Sequence, residues 1–263
     1  HHVRISASNG LTCSPISYTL RACSDATCTS EYTQGLTGNL SVTGSGMTVN
    51  YPSGAAFSIA AGQGSTTVPV HVTTVGSVTT ATLNTLSATA TGSPSVYCGM
   101  NGATPASGGS CTVSAASSGL LFNVLNHASE TAQSVTVSAV NSSDAAVCTP
   151  AFASVARNVT FKCSYTNPTT VSPTAPKPVR VADATTNVYH ALNAGNSTGA
   201  ACDGSGRSVA LNFNASGVAT AKFMYADVGQ MGLTATYTGG AGTNDTGLTM
   251  TGSDSFIAAP ASF

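Results

Sequence analysis

This sequence predicts an all-β fold, stapled by disulfides and organised as two sandwiches in tandem, on three observations. Helix signals are nearly absent, and short alternating runs of apolar and polar residues recur between clusters of Gly, Ser, Asn and Pro. Eight cysteines, an even number, lie along the chain without metal-type spacing. The 263 residues suit one large β-domain or two of ordinary size, each able to bury a core.

The elements follow in order. In "PISYTLRAC", Ile16, Tyr18, Leu20 and Ala22 share one face of a strand. "TTVPVHVTTV" puts Val68, Val70 and Val72 together and turns His71 the other way; Pro69 inside it predicts an edge strand or a bulge. The Ser-rich step in "AASSGLLFNV" marks a domain boundary, with a new strand at Leu120 to Leu125. "QSVTVSAV" repeats the alternation through Val135 and Val137. The longest pattern is "SVALNFNASGVATAKFMYADVGQMGLTATY". There Val209, Leu211 and Phe213 alternate, "NASG" turns the chain, and Ala219, Ala221, Phe223 and Tyr225 alternate back. Leu233, Ala235 and Tyr237 follow after "ADVGQ", and the expectation is a meander of two hairpins. About six or seven strands fall in each half, the number of an immunoglobulin-like sandwich. The predicted domains are therefore immunoglobulin-like β-sandwiches over 1–116 and 117–263. The second carries a long surface insertion over about 166–207, whose Pro- and Thr-rich "TNPTTVSPTAPKPVRV" reads as extended.

Charge excludes some functions. Only 6% of residues are charged, against ~25% in ordinary domains. Eight Lys and Arg along the chain, with a net charge of −1, build no phosphate-neutralising stripe, so nucleic acid is not expected as a partner. Docking to an anionic membrane fails on the same count, and no apolar run is long enough to insert in a bilayer. No basic-then-apolar leader opens the sequence, as expected of a secreted chain after processing or of a fragment.

The cysteines are Cys13, Cys23, Cys28, Cys98, Cys111, Cys148, Cys163 and Cys202. A zinc site would want two C-x2-C pairs or closely spaced histidines, and neither occurs. Disulfides in an oxidising compartment are the expectation. Cys23 and Cys28 bracket the turn sequence "SDAT", and Cys98 and Cys111 bracket a Gly-rich loop. The other four allow three arrangements. The preferred one sets Cys163 with Cys202 at the base of the insertion and Cys13 with Cys148 between the halves.

No catalytic, cofactor or metal site is expected. His1, His2, His71, His127 and His190 have no ligand spacing beyond the leading dipeptide. Asp203, Asp227, Asp245 and Asp254 sit in turn-like contexts, Asp227 as the cap of its turn. A glycosidase dyad is not visible, because such carboxylates meet only in three dimensions. "GSGRS" at Gly204 to Ser208 lacks the Lys and helix of a phosphate loop and reads as a hairpin lead-in. The N-x-S/T sequons at Asn39, Asn141, Asn158, Asn196, Asn214 and Asn244 are near chance for this composition. Sugar platforms favour Trp, and there is none.

A family resemblance adds to this. "HHVRISASNGLTC" and "TLRACSDATCTSEYT" resemble the opening of the C-terminal region of MshQ-like proteins, which are Gram-negative surface proteins associated with biogenesis of the mannose-sensitive haemagglutinin, a type IV pilus. "CTVSAASSGLLFNV", "AVNSSDAAVCTPAFA", "FKCSYTNPTT", the "DVG" segment and "DSFIAAPASF" resemble later motifs in the same order. Two departures stand out: "SAASSG" lacks acidic and aromatic residues, and the "NP" segment lacks a nearby second cysteine. The resemblance implies β-rich surface modules without catalytic residues. The expected role is thus a structural or adhesive module, secreted or on the bacterial cell surface. Expected partners are other surface or pilus proteins, further copies of the chain in a fibre, or a glycan; a hydrolase is the alternative from another class.

Overall fold

The structure, a computed structural model, describes residues 2–78, 80–87, 95–109, 111–144, 147–169 and 176–260. Apart from one 3-10 turn at Ala241–Thr243, the regular elements among them are strands. Two compact units form, His1–Ser117 with Ser142–Cys148, and Ser118–Asn141 with Thr149–Phe263.

The first unit contains β1 (His2–Ser6), β2 (Gly10–Leu11), β3 (Ile16–Cys23), β4 (Leu36–Thr43), β5 (Val49–Asn50) and β6 (Ala56–Ile59). It continues with β7 (Ser65–Val72), β8 (Gly76–Val78), β9 (Thr80–Asn84), β10 (Ser95–Cys98), β11 (Ala106–Ser107) and β12 (Val113–Ala116). The main sheet runs β11-β10-β1-β3-β7-β5, and two three-stranded sheets, β2-β12-β8 and β6-β4-β9, complete the unit. Alternation decides what is buried. Ile16, Tyr18 and Leu20 of β3 meet Val68 and Val70 of β7, and Leu36, Leu40 and Phe57 of the third sheet join the same core. Removing each such side chain from water contributes roughly 1.5–3 kcal/mol. Pro69 pairs opposite Ser17 in unbroken register, so it makes no bulge. β5 covers β7 only at His71 and Val72, which leaves Pro69 on a local edge where a missing N–H does no harm.

The second unit contains β13 (Ser118–Phe122), β14 (His127–Ala128), β15 (Gln133–Asp144) up to Asn141, β16 (Val147–Pro150) from Thr149, β17 (Val155–Asn167) and β18 (Val179–Asp183). β19 (His190–Ala191), β20 (Arg207–Phe213), β21 (Val218–Tyr225), β22 (Gly229–Thr238) and β23 (Thr249–Ala259) follow. One sheet runs β13-β15-β21-β18-β19 with β16 on β15, and the other runs β14-β23-β22-β17-β20. Their inner faces meet in a core that includes Val137, Phe161, Leu211, Phe223, Leu233 and Phe256.

Two expectations are corrected here. β20, β21 and β22 are not a meander: β20 pairs with β17, β21 with β15 and β18, and β22 with β17 and β23. The chain changes sheet at each turn. Both sheets point their apolar faces at one core, so alternation reads the same whether successive strands pair or face each other. The "NASG" turn itself forms, with Asn214 N donating to Val218 O at 2.8 Å and Gly217 N to Asn214 O at 3.0 Å. Gly217 is required there, because its φ is +73° and a Cβ would lie 2.8 Å from Pro150 Cβ. The second correction concerns 166–207. Residues 170–175 lie outside the described residues, but Val179–Asp183 is a core strand between β21 and β19, with Val179 and Val181 fully buried. Pro178 directly before it is compatible, since a proline is tolerated at the start of a strand.

Candidate functional site

All eight cysteines are bridged. Cys13 joins Cys148 (Cα–Cα 4.9 Å), Cys23 joins Cys28 (4.9 Å), Cys98 joins Cys111 (5.2 Å) and Cys163 joins Cys202 (5.5 Å). His2 lies close to the Cys23 and Cys28 sulfurs, a grouping of ligand types. Each of those sulfurs is bonded to the other, so neither offers the thiolate that a metal needs. His2 instead accepts from Arg4 Nε at 3.1 Å and lies on the Tyr97 ring at 4.1 Å between centroids. Burial, with Arg4 nearby, lowers its pKa.

The other histidines are dispersed. His71 Nε2 lies 2.8 Å from Thr12 O, and His127 Nδ1 lies 2.8 Å from Leu125 O with its ring stacked on Phe256. His190 sits in β19, and His1 lies outside the described residues.

The acids are used as braces. Asp203 accepts from Ala194 N and Ser205 N, both at 2.9 Å, and Asp254 accepts from Val124 N. Asp227 accepts from Val228 N at 2.8 Å. Asp245 accepts from Arg157 Nε at 3.2 Å, Gly240 N at 3.1 Å, Tyr237 OH and Thr243 Oγ1. The Arg157 guanidinium also sits over the Phe152 ring. These contacts outweigh the upward push of burial and hold the Asp245 carboxyl below its ordinary range. Asp25 accepts from Thr27 Oγ1 and N, Thr29 and Ser30 N, so the Thr27 hydroxyl above all draws its pKa down. "GSGRS" leads into β20. Three sequon asparagines have structural work: Asn214 Oδ1 accepts inside its own turn, Asn196 Oδ1 accepts from Ala191 N, and Asn39 Nδ2 donates to Thr85 Oγ1.

Sequence reasoning missed two anchors. Tyr165 OH donates to Lys177 O at 2.8 Å and accepts from Cys202 N at 3.1 Å, tying both arms of the 166–207 segment to β17. Asp183, at the end of β18, accepts from Thr185 N (2.9 Å), Thr186 N (3.3 Å), Asn212 N (3.1 Å) and Asn212 Nδ2 (3.2 Å). Nothing local marks either one, because the partners lie 12 to 37 residues away for Tyr165 and 29 away for Asn212.

One concave feature among the described residues is an open groove of about 410 Å³ in the first unit, lined by neutral residues that include Tyr32, Gln34, Thr37, Ser58 and Ser87.

Residues 95–253 match a family described as "Domain of unknown function (DUF6701), first Ig-like domain", and residues 1–91 match "Domain of unknown function (DUF8613)". No curated protein sequence matches the chain. Among solved structures, the D0–D1 domains of intimin are similar over 97% of this chain and 96% of that one, at 10% identity and a TM-score of 0.37. FdeC, an Escherichia coli adhesin, is similar over 99% of this chain and 64% of its own, at 12% identity and a TM-score of 0.29. Domains 4–9 of the surface layer protein SbsC are similar over 98% and 31%, at 14% identity and a TM-score of 0.26.

Proposed function

The chain belongs to the family of the DUF6701 first Ig-like domain, and from that membership we propose that it is a non-enzymatic structural or adhesive module of a bacterial surface protein. One observation carries this reading: four disulfides, with acids that accept from backbone and side-chain donors of neighbouring loops and strands, make a braced β-scaffold. Disulfides on this scale belong to oxidising compartments, which favours a secreted or cell-surface location. The motif resemblance to MshQ-like proteins supports partners among other surface or pilus proteins. An antibody raised on the purified chain and applied to intact cells of the source organism tests the placement. Surface labelling is expected; signal only after lysis overturns it. A broad glycosidase and esterase screen with no turnover is the matching expectation for activity.

The neutral groove favours a second reading, glycan binding, because Tyr32 offers a ring and Gln34, Thr37 and Ser58 offer uncharged hydrogen-bonding groups. A glycan array with wild type and Tyr32→Ala separates the two readings. Binding lost in Tyr32→Ala supports the glycan site, and no binding in either removes it.

A further inference from the structure

Two of the bridges divide the chain in a way that follows from their connectivity. Cys13–Cys148 spans 135 residues of sequence and Cys163–Cys202 spans 39. The other two bridges, Cys23–Cys28 and Cys98–Cys111, lie wholly inside the first span. The strands of the second unit sort accordingly. In one sheet, β13, β15, β18 and β19 fall inside the spans, β21 falls outside, and β16 straddles Cys148. In the other, β20, β22 and β23 fall outside, with β17 as far as Cys163, and only the two-residue β14 inside. The outside strands are mutually hydrogen-bonded, since β17 pairs with β20 and β22, and β22 pairs with β23 from Gly229 to Thr238.

We infer that these two bridges form a load bypass. Tension that enters before Cys13 and leaves after Cys202 crosses at the sulfurs. It is borne by β1 and β2 ahead of Cys13 and by the β20-β17-β22-β23 block and β21, while 14–147 and 164–201 are held out of the force path. In the first unit only β1 and β2 precede Cys13, so its other strands and the neutral groove lie inside the protected span. A covalent bond does not yield at forces that unravel strand ladders, so the protected segments are not extended while the outside strands give way. The inference rests on the surface-module reading in one respect, that the chain carries tension.

Single-molecule stretching of the whole chain, held at its two ends, tests this. At ~3.4 Å per residue, 263 residues extend to about 900 Å, and the two spans withhold about 450 and about 130 Å of that. The oxidised chain is therefore expected to stop at about 300 Å, and the same protein with its disulfides reduced at about 900 Å. Cys163→Ser with Cys202→Ser should stop near 430 Å, about 130 Å beyond the oxidised wild type. An oxidised chain that stretches as far as the reduced one overturns the bypass. If the double variant does not fold, the oxidised and reduced wild type still decide. A missing surface label on cells would overturn the proposed location and leave these lengths unchanged, so the two failures are distinguishable.

Discussion

Asp183 is an acid in the interior, 2% exposed, whose carboxylate receives donors from its own turn and from β20 of the opposite sheet. Burial pushes its pKa up, but the donors from Asn212, Thr185 and Thr186 outweigh that and hold it below the ordinary 3.8. The folded state then takes up this proton at lower pH than the unfolded chain does. Its contribution to stability is complete above the ordinary value and is lost as pH falls through the depressed one. Asp183→Ala is expected to cost ~1–3 kcal/mol at neutral pH in denaturant unfolding, because the Asn212 and Thr185 donors lose a charged acceptor. The loss should shrink in acid; a difference that persists unchanged to about pH 2 would contradict this account. Phe223 is the apolar counterpart. It is fully buried, with Phe161 edge-on at 5.5 Å and Phe122 stacked at 6.3 Å. Phe223→Ala should destabilise by ~3–5 kcal/mol, read from the same melts.

At the scale of elements, alternation made the apolar faces legible before any partner was known. Ile16, Tyr18 and Leu20, or Val209, Leu211 and Phe213, are buried because period two is a local property of the backbone. Pairing is not local, and that is why β20, β21 and β22 read as a meander while the structure deals them to alternate sheets. β18 was hidden for another reason. Its Val-Arg-Val core follows a Pro- and Thr-rich run, and composition averaged over the window outweighed three informative residues. The braces of the candidate site were illegible because Tyr165, Asp183 and the Arg157–Asp245 pair act across 12 to 88 residues. The Cys163–Cys202 bridge reinforces the same region that Tyr165 ties down. Alkylation of the native protein without reductant, followed by mass spectrometry, should label no cysteine. Cys163→Ser with Cys202→Ser should lose ~2–5 kcal/mol. Two or more labelled cysteines in folded wild type would refute the fully bridged state.

For the whole molecule, the decisive question is what keeps copies of so uncharged a chain apart. A net charge of −1 supplies little repulsion, and edge strands with few Lys gatekeepers offer unpaired backbone for strand addition between copies. In the second unit side chains occupy backbone groups near those edges. Asn126 Oδ1 accepts from Ile257 N of β23 at 2.7 Å, and Asp183 accepts from Asn212 N of β20 at 3.1 Å. Gly252 of β23 lets the backbone of β13 approach so closely that a Cβ there would lie 2.0 Å from Leu120 O. An incoming strand would have to displace these contacts before it gained a ladder, so side chains replace charge as the guard. Wild type is therefore expected to scatter light as a monodisperse monomer at high concentration. Asn126→Ala frees the Ile257 amide beside a half-exposed isoleucine and should raise the associated fraction without shifting the melting temperature by more than a few degrees. Oligomers or fibres of the wild type under the same conditions would show that copies join through an edge these side chains do not cover, and the first unit's β6 and β9, which flank β4, would be the strands to vary next.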